Sequence, residues 1–193
     1  MNIDWKTFDT DQLMSTMPDN EDNRWEYKAL GLMDDDNKFK TKLGKQVSAF
    51  ANSLGGHIIL GLSDDRKIWQ PIPDKKGDTR MKDWLAKVVC YSVESPLQTF
   101  QVHPVPITGG GGSIYVIEVG DSPAAPHQAK DKIYYYRIDG HSDPAPHVHL
   151  QLLRDRYTKS MKTRSKLRAN CFGSNIVRAA TASNHFSSSL ESK

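Results

Sequence analysis

Between Phe39 and Leu54 the apolar residues Phe39, Leu43, Val47, Phe50 and Leu54 recur at intervals of four, four, three and four. That spacing predicts one helical stripe facing a core. Gly55 and Gly56 follow, where a helix commonly ends on a residue free to take positive φ. His57 to Leu62 is then an almost continuous apolar run rich in β-branched residues, the pattern of a strand covered on both faces. Asp64 and Asp65 stand just past its end, as a solvated turn or as acids delivered to a sheet edge.

The same reading extends to both sides. Asp9 to Met17 reads as a short helix with an acidic first turn, stopped by Pro18, and Trp25 to Leu30 as a strand with Glu26 and Lys28 on one face. Asp34 to Asp36 is an acidic turn ahead of the long helix. Lys67 to Ile72 reads as a short edge strand bounded by prolines. Met81, Trp84, Leu85, Val88 and Val89 form a second helical stripe within 79–93. Thr99 to Ile107 is a strand interrupted by two prolines, Gly109 to Gly112 a hairpin turn, and Ser113 to Val119 a strand again. Asp131 to Ile138 reads as a strand carrying three tyrosines and Arg137. A last helix begins at Pro144 and Pro146 and carries Leu150, Leu153, Tyr157 and Met161. Helices and strands interleave without a regular βαβ alternation. The expected class is therefore α+β, a mixed and largely antiparallel sheet flanked by helices.

Composition narrows the picture modestly. The chain has 193 residues, 37% hydrophobic, with a formal charge of +3, enough for one core and too mildly basic to establish a nucleic-acid partner. Positive charge gathers between Arg154 and Arg168, where seven Lys or Arg face only Asp155. The two cysteines, Cys90 and Cys171, form no disulfide framework or zinc spacing. With neither a secretory leader pattern nor an apolar run of spanning length, a soluble, cytoplasmic protein without membrane contact is expected. From about Lys162 onward the apolar period fails; 158–193 reads as a basic, Ser/Ala-rich tail, and 1–20 as a helical extension before the main domain, 21–157.

For chemistry, three carboxylates can be proposed as neighbours: Glu21, Glu26 and Asp64, with Lys28 beside Glu26. Should the first strand and the central strand be adjacent, mutual repulsion among these acids would call for a cation, and oxygen ligands suit Mg²⁺ or Mn²⁺. A lysine beside such an ion could contact a scissile phosphate. Surface pairing of Glu26 with Lys28 is the alternative.

The segments WEYKAL, VSAFANSLGGHIILGLSDD and APHQAKDKIYYYRIDGHSDPA together resemble the Schlafen AlbA-type domain, also described as a divergent AAA or DNA-binding domain. The most specific part is Ala49-Phe50-Ala51-Asn52 followed by Gly55-Gly56 and Gly61, with Pro126-His127 and Tyr136-Arg137 in support. That resemblance implies an RNA- or DNA-binding domain and, in its catalytic members, a divalent-metal-dependent endoribonuclease acting on tRNA or rRNA. The matching positions are Glu21, Glu26 and Asp64 as metal ligands and catalytic acids, Asp65 competing with Asp64, and Tyr27-Lys28 as the accompanying pair. Candidate nucleic-acid contacts are Lys28, Lys38, Lys40, Lys42, Lys45, Lys130, Lys132 and Arg137, with His127 and His141 as polar contacts. A non-catalytic regulatory or defence module is the alternative, and a homodimer would complete a two-lobed groove. No Gly-Lys-Ser/Thr phosphate loop supports ATP binding. His147 and His149, two apart at a helix start, read as surface residues.

Overall fold

The computed structural model describes Trp5, residues 7–159 and Met161. The described residues up to Leu153 form one compact unit, and residues 154–159 beyond it are helical. Most of the 158–193 tail, Cys171 and part of the basic run lie outside the described residues.

The long stripe forms helix α2, Asp36–Ala51. Asp35 caps it, its carboxylate accepting from the N–H groups of Asn37 and Lys38, so the acidic turn serves the helix start. Phe39, Leu43, Val47 and Phe50 are buried as expected, whereas Leu54 is 63% exposed. The helix ends at Ala51 because Asn52 turns its side chain inward, and Leu54 falls beyond the stripe. Gly55 takes φ of +72°, and a Cβ there would lie 2.5 Å from the Val119 carbonyl. A side chain at Gly56 would overlap the Phe50 ring. Both glycines are thus required by the close approach of helix end and sheet.

Strand β1, Trp25–Lys28, and strand β2, Gly56–Leu60, run parallel, with Glu26 opposite Ile58 and Lys28 opposite Leu60. A parallel pair needs a crossover, and a 3-10 turn (Leu30–Asp34) followed by α2 supplies it. Two short strands, β3 (Lys75–Lys76) and β4 (Thr79–Arg80), precede helix α3, Met81–Cys90. The hairpin of β5, Phe100–Pro106, and β6, Ser113–Val119, completes a four-stranded sheet in the order β1-β2-β6-β5. Since β2-β6 and β5-β6 are antiparallel, the sheet is mixed and mainly antiparallel, and the fold is α+β. Its edge position lets β5 keep Pro104 and Pro106 inside one unbroken strand. Lys67 to Ile72 makes only isolated bridges, Leu62 to Trp69 and Ile72 to Ser113, where a strand was expected.

Alternation along the strands sorts two apolar layers. Ile58, Leu60, Val102, Tyr115, Ile117 and Val119 pack with the α2 and α3 stripes. On the other face Tyr27, Ile59, Ile114 and Val116 pack with Trp5 and Leu13. Leu13 belongs to helix α1, Thr10–Thr16, held at its start by a reciprocal capping box between Asp9 and Gln12. A separate hairpin, β7 (Tyr135–Ile138) and β8 (His141–Pro144), lies against α2. β8 falls where only the start of the last helix was expected; the helix begins at 147. Leu153 is buried as foreseen, whereas Tyr157 and Met161 are 41% and 49% exposed.

Candidate functional site

Glu26 projects from the helix-side face of β1 and is only 2% exposed. Its Oε2 accepts from Arg137 Nη1 at 2.6 Å, and its Oε1 accepts from Lys28 Nζ. Arg137 enters from β7 and lies over the Phe50 ring, its guanidinium carbon 4.6 Å from the centroid. The same guanidinium donates to Gln46 Oε1, Ser142 Oγ and the carbonyls of Asp22 and Trp25. One buried arginine therefore ties the β7–β8 hairpin to α2 and to the chain leading into β1. A pair this dry depends on such supplementary hydrogen bonds, since desolvating both charges is costly.

Glu21 joins this cluster at its rim. Its Oε1 accepts the Tyr27 N–H at 3.0 Å and lies 3.7 Å from Lys28 Nζ. Lys28 thus stands between the two glutamates, as the pattern of β1 suggested. Asp64 does not join them; it is exposed in the turn after β2. Beside it Asp65 accepts from Ser63 Oγ at 2.5 Å and from the Lys67 N–H, and the Ser63 hydroxyl holds its carboxyl below the usual range. The competition between Asp64 and Asp65 has a structural basis: Asp65 is committed to shaping the turn.

No group of three or more His, Cys, Asp or Glu able to hold a metal ion occurs among the described residues. Both oxygens of Glu26 already face cations, so a divalent ion would have to displace Lys28 or Arg137. The carboxylate set in this arrangement does not fit such an ion.

The nucleic-acid candidates separate by burial. Lys42 and His141 are exposed. Lys45 is half-buried with its ammonium 5.2 Å from the Tyr135 ring centroid, and Lys28 is occupied by the two glutamates. Arg137 and His127, at 6% and 3% exposure, are withdrawn from any surface grip. His127 Nε2 lies 2.7 Å from Ser122 Oγ, and burial lowers its imidazole pKa. His149, expected at the surface, is half-buried, with Nε2 3.0 Å from the Asn52 carbonyl and its ring 5.0 Å from that of Tyr136.

The Ala-Phe-Ala-Asn run of α2 has a physical purpose. Ala49 and Ala51 are fully buried, too small to hold neighbouring segments away. Asn52 Nδ2 donates to the carbonyls of His127 and Tyr135 at 2.8 and 2.9 Å, and its Oδ1 accepts the His127 N–H at 2.6 Å. Ser48 Oγ adds a bond to the His127 carbonyl. One amide side chain thus fastens two segments just beyond the isolated antiparallel bridge between Gln128 and Tyr134.

Residues 21–146, a span that includes these positions, match the description Schlafen, AlbA_2. The chain belongs to that family. Membership links it to nucleic-acid-related domains. No curated protein matches the sequence. Among solved structures, the DIP2311 protein from Corynebacterium diphtheriae is similar, with a TM-score of 0.50 and 15% identity over 70% of this chain. That likeness is one of fold, and it covers 25% of the other protein's length.

Sequence reasoning found the Glu21–Glu26–Lys28 grouping and missed what Arg137 does with it. A second surface gathers two of the candidate lysines, Lys40 and Lys130, with residues the sequence pattern did not single out as contacts. Between α2, α3 and the 129–131 segment lies a cavity of about 350 Å³ lined by Lys40, Trp84, Lys87, Tyr91 and Lys130, among others. No helix among the described residues is long and apolar enough to cross a membrane.

Proposed function

We propose that this Schlafen, AlbA_2 chain is a nucleic-acid-binding module that holds RNA or DNA without cutting it. The observation supporting this most is the state of Glu26: buried and neutralised by Arg137 and Lys28, it acts as a structural tie. Lysines meanwhile remain on the surface of α2, where Lys38, Lys40 and Lys42 are exposed. Phosphate contacts of that kind give affinity that falls steeply with salt. The test is fluorescence anisotropy with labelled tRNA and with duplex DNA over a salt series. Binding that weakens linearly on a log–log plot is expected; no binding of either at low salt overturns the proposal.

A second reading, a Mg²⁺- or Mn²⁺-dependent endoribonuclease on tRNA-like RNA, draws on the gathering of Glu21 and Glu26 at Lys28. It requires RNA or metal to pull Lys28 off Glu26 and Asp64 to swing toward them. Cleavage of tRNA with Mn²⁺, abolished in Glu21→Gln, would establish it. Pairing of two chains belongs to the same proposal, and sedimentation with and without RNA tests it: a doubled mass supports pairing, a monomer in both counts against it.

A further inference from the structure

The cavity between α2 and α3 brings together groups that no part of the Glu26 cluster uses. Lys40 approaches from α2, Lys87 from α3 and Lys130 from the segment between β6 and β7, around walls made by Trp84, Val88 and Tyr91. A smaller hollow of about 220 Å³ adjoins it, sharing Lys40, Thr41, Ser92 and Lys130 and adding Gly44, Ala129 and Asp131. Gly44 is what allows the floor to close: a Cβ there would lie 3.1 Å from the Ser92 carbonyl.

Charge across this groove is lopsided. Lys87 and Lys130 make no ion pair among the described residues, and Lys40 reaches Asp36 only at 3.9 Å. Asp131, in the smaller hollow, keeps its charge while its carboxylate accepts from the Tyr135 hydroxyl at 2.7 Å and the Ile133 N–H at 3.1 Å, so it stands as one acid against three lysines. Glu94, the other acid nearby, is paired with Lys132, and its carboxyl is held down by that bond and by the charge of Lys130.

The aromatic walls are of two kinds. Trp84 is fixed, stacked on Phe39 at 5.6 Å between ring centroids and approached by the Lys76 ammonium at 4.5 Å. Tyr91, at the end of α3, is 58% exposed. An exposed ring beside an apolar pocket, rimmed by lysines from separate elements, matches a base that stacks while its phosphates meet the ammonium groups. The volume is in the range of small-ligand sites, at the scale of ~300 Å³ and above.

We infer that this groove is a subsite for one unstacked nucleotide of a single-stranded nucleic acid, with the base on Tyr91 and the flanking phosphates on Lys40, Lys87 and Lys130. The inference rests on the nucleic-acid-binding reading and assigns it a location. Neither the Glu26 cluster nor a metal enters it.

The test uses the full chain and a labelled short oligouridylate, with heparin as a base-free polyanion. Tyr91→Ala should weaken oligouridylate binding about tenfold and leave the salt dependence unchanged, since a stacked ring releases no counterions. Lys87→Ala should make the log–log salt slope shallower by roughly 0.7, the value of one single-strand phosphate contact. Heparin affinity should follow Lys87→Ala and ignore Tyr91→Ala. Both variants lie on the surface, and unchanged circular dichroism and melting temperature exclude unfolding as the cause. Oligouridylate binding that both variants leave intact overturns the groove while sparing the module. Equal weakening of RNA and heparin binding in Tyr91→Ala overturns base stacking. An unmodified chain that binds neither ligand removes the module and the groove together.

Discussion

Arg137 Nη1 holds Glu26 Oε2 at 2.6 Å, with the two side chains 1% and 3% exposed. The residues are 111 positions apart in sequence, so this ion pair fastens the β7–β8 hairpin to the start of the central sheet. A buried charge left without its partner is costly, typically about 3–5 kcal/mol, whereas an apolar pair of similar volume can be nearly neutral. Urea unfolding should therefore show Arg137→Met alone losing about 3 kcal/mol or more, and Glu26→Leu with Arg137→Met recovering much of the loss. An Arg137→Met variant as stable as the parent would show that the pair does not hold the hairpin.

Asn52 carries a comparable burden with a neutral side chain. Replacing it with Ala leaves the His127 N–H and the carbonyls of His127 and Tyr135 without their amide partner in a buried setting. Each unsatisfied group costs about 1–3 kcal/mol, so Asn52→Ala should destabilise by at least ~2 kcal/mol. Hydrogen exchange should show the His127 amide losing protection first. Protection equal to that of the parent would contradict the clamp.

Acid should destabilise the protein through its histidines. Burial lowers the pKa of His57, His103 and His127 from the ordinary 6.5, with the Glu118 carboxylate opposing the shift at His57 and His103. The folded state then resists protons that the unfolded chain accepts, so stability is full above about pH 6.5 and declines as pH falls below it. His57 is flanked by Trp25 at 4.6 Å and Trp5 at 5.5 Å between ring centroids. His57→Phe should keep that stacking and reduce the slope of urea midpoint against pH between about 6.5 and 5. An unchanged slope in the variant would assign the effect elsewhere.

Legibility from sequence followed how local the cause was. Strand β6 falls at Ser113–Val119 as expected, because a glycine turn and an apolar run define it without outside help. Likewise the α3 stripe buries Met81, Leu85 and Val89. Leu54 leaves its expected stripe because helix α2 ends through side-chain bonds from Asn52 to distant segments, which helical periodicity cannot register. β8, reading His-Ser-Asp-Pro, has no apolar alternation and becomes a strand only by pairing with β7. Arg137 reads as a surface cation until its carboxylate is found across the fold. The pairing of β1 with β2 was legible as a condition, and it places Glu26 and Lys28 on one face; it leaves Asp64 exposed beyond the strand end. The lysine-rimmed groove was invisible for the same reason as the ion pair: each element supplies only part of it.

We propose that the carboxylate cluster of β1 is structural and that the chain binds nucleic acid without cutting it. The most direct measurement incubates the full chain with end-labelled tRNA and Mn²⁺, then resolves one half of each sample on a native gel and the other on a denaturing gel. Retarded complexes containing intact RNA, the same for the parent and for Glu21→Gln, are the expected result. Discrete Mn²⁺-dependent fragments that disappear in Glu21→Gln would contradict it.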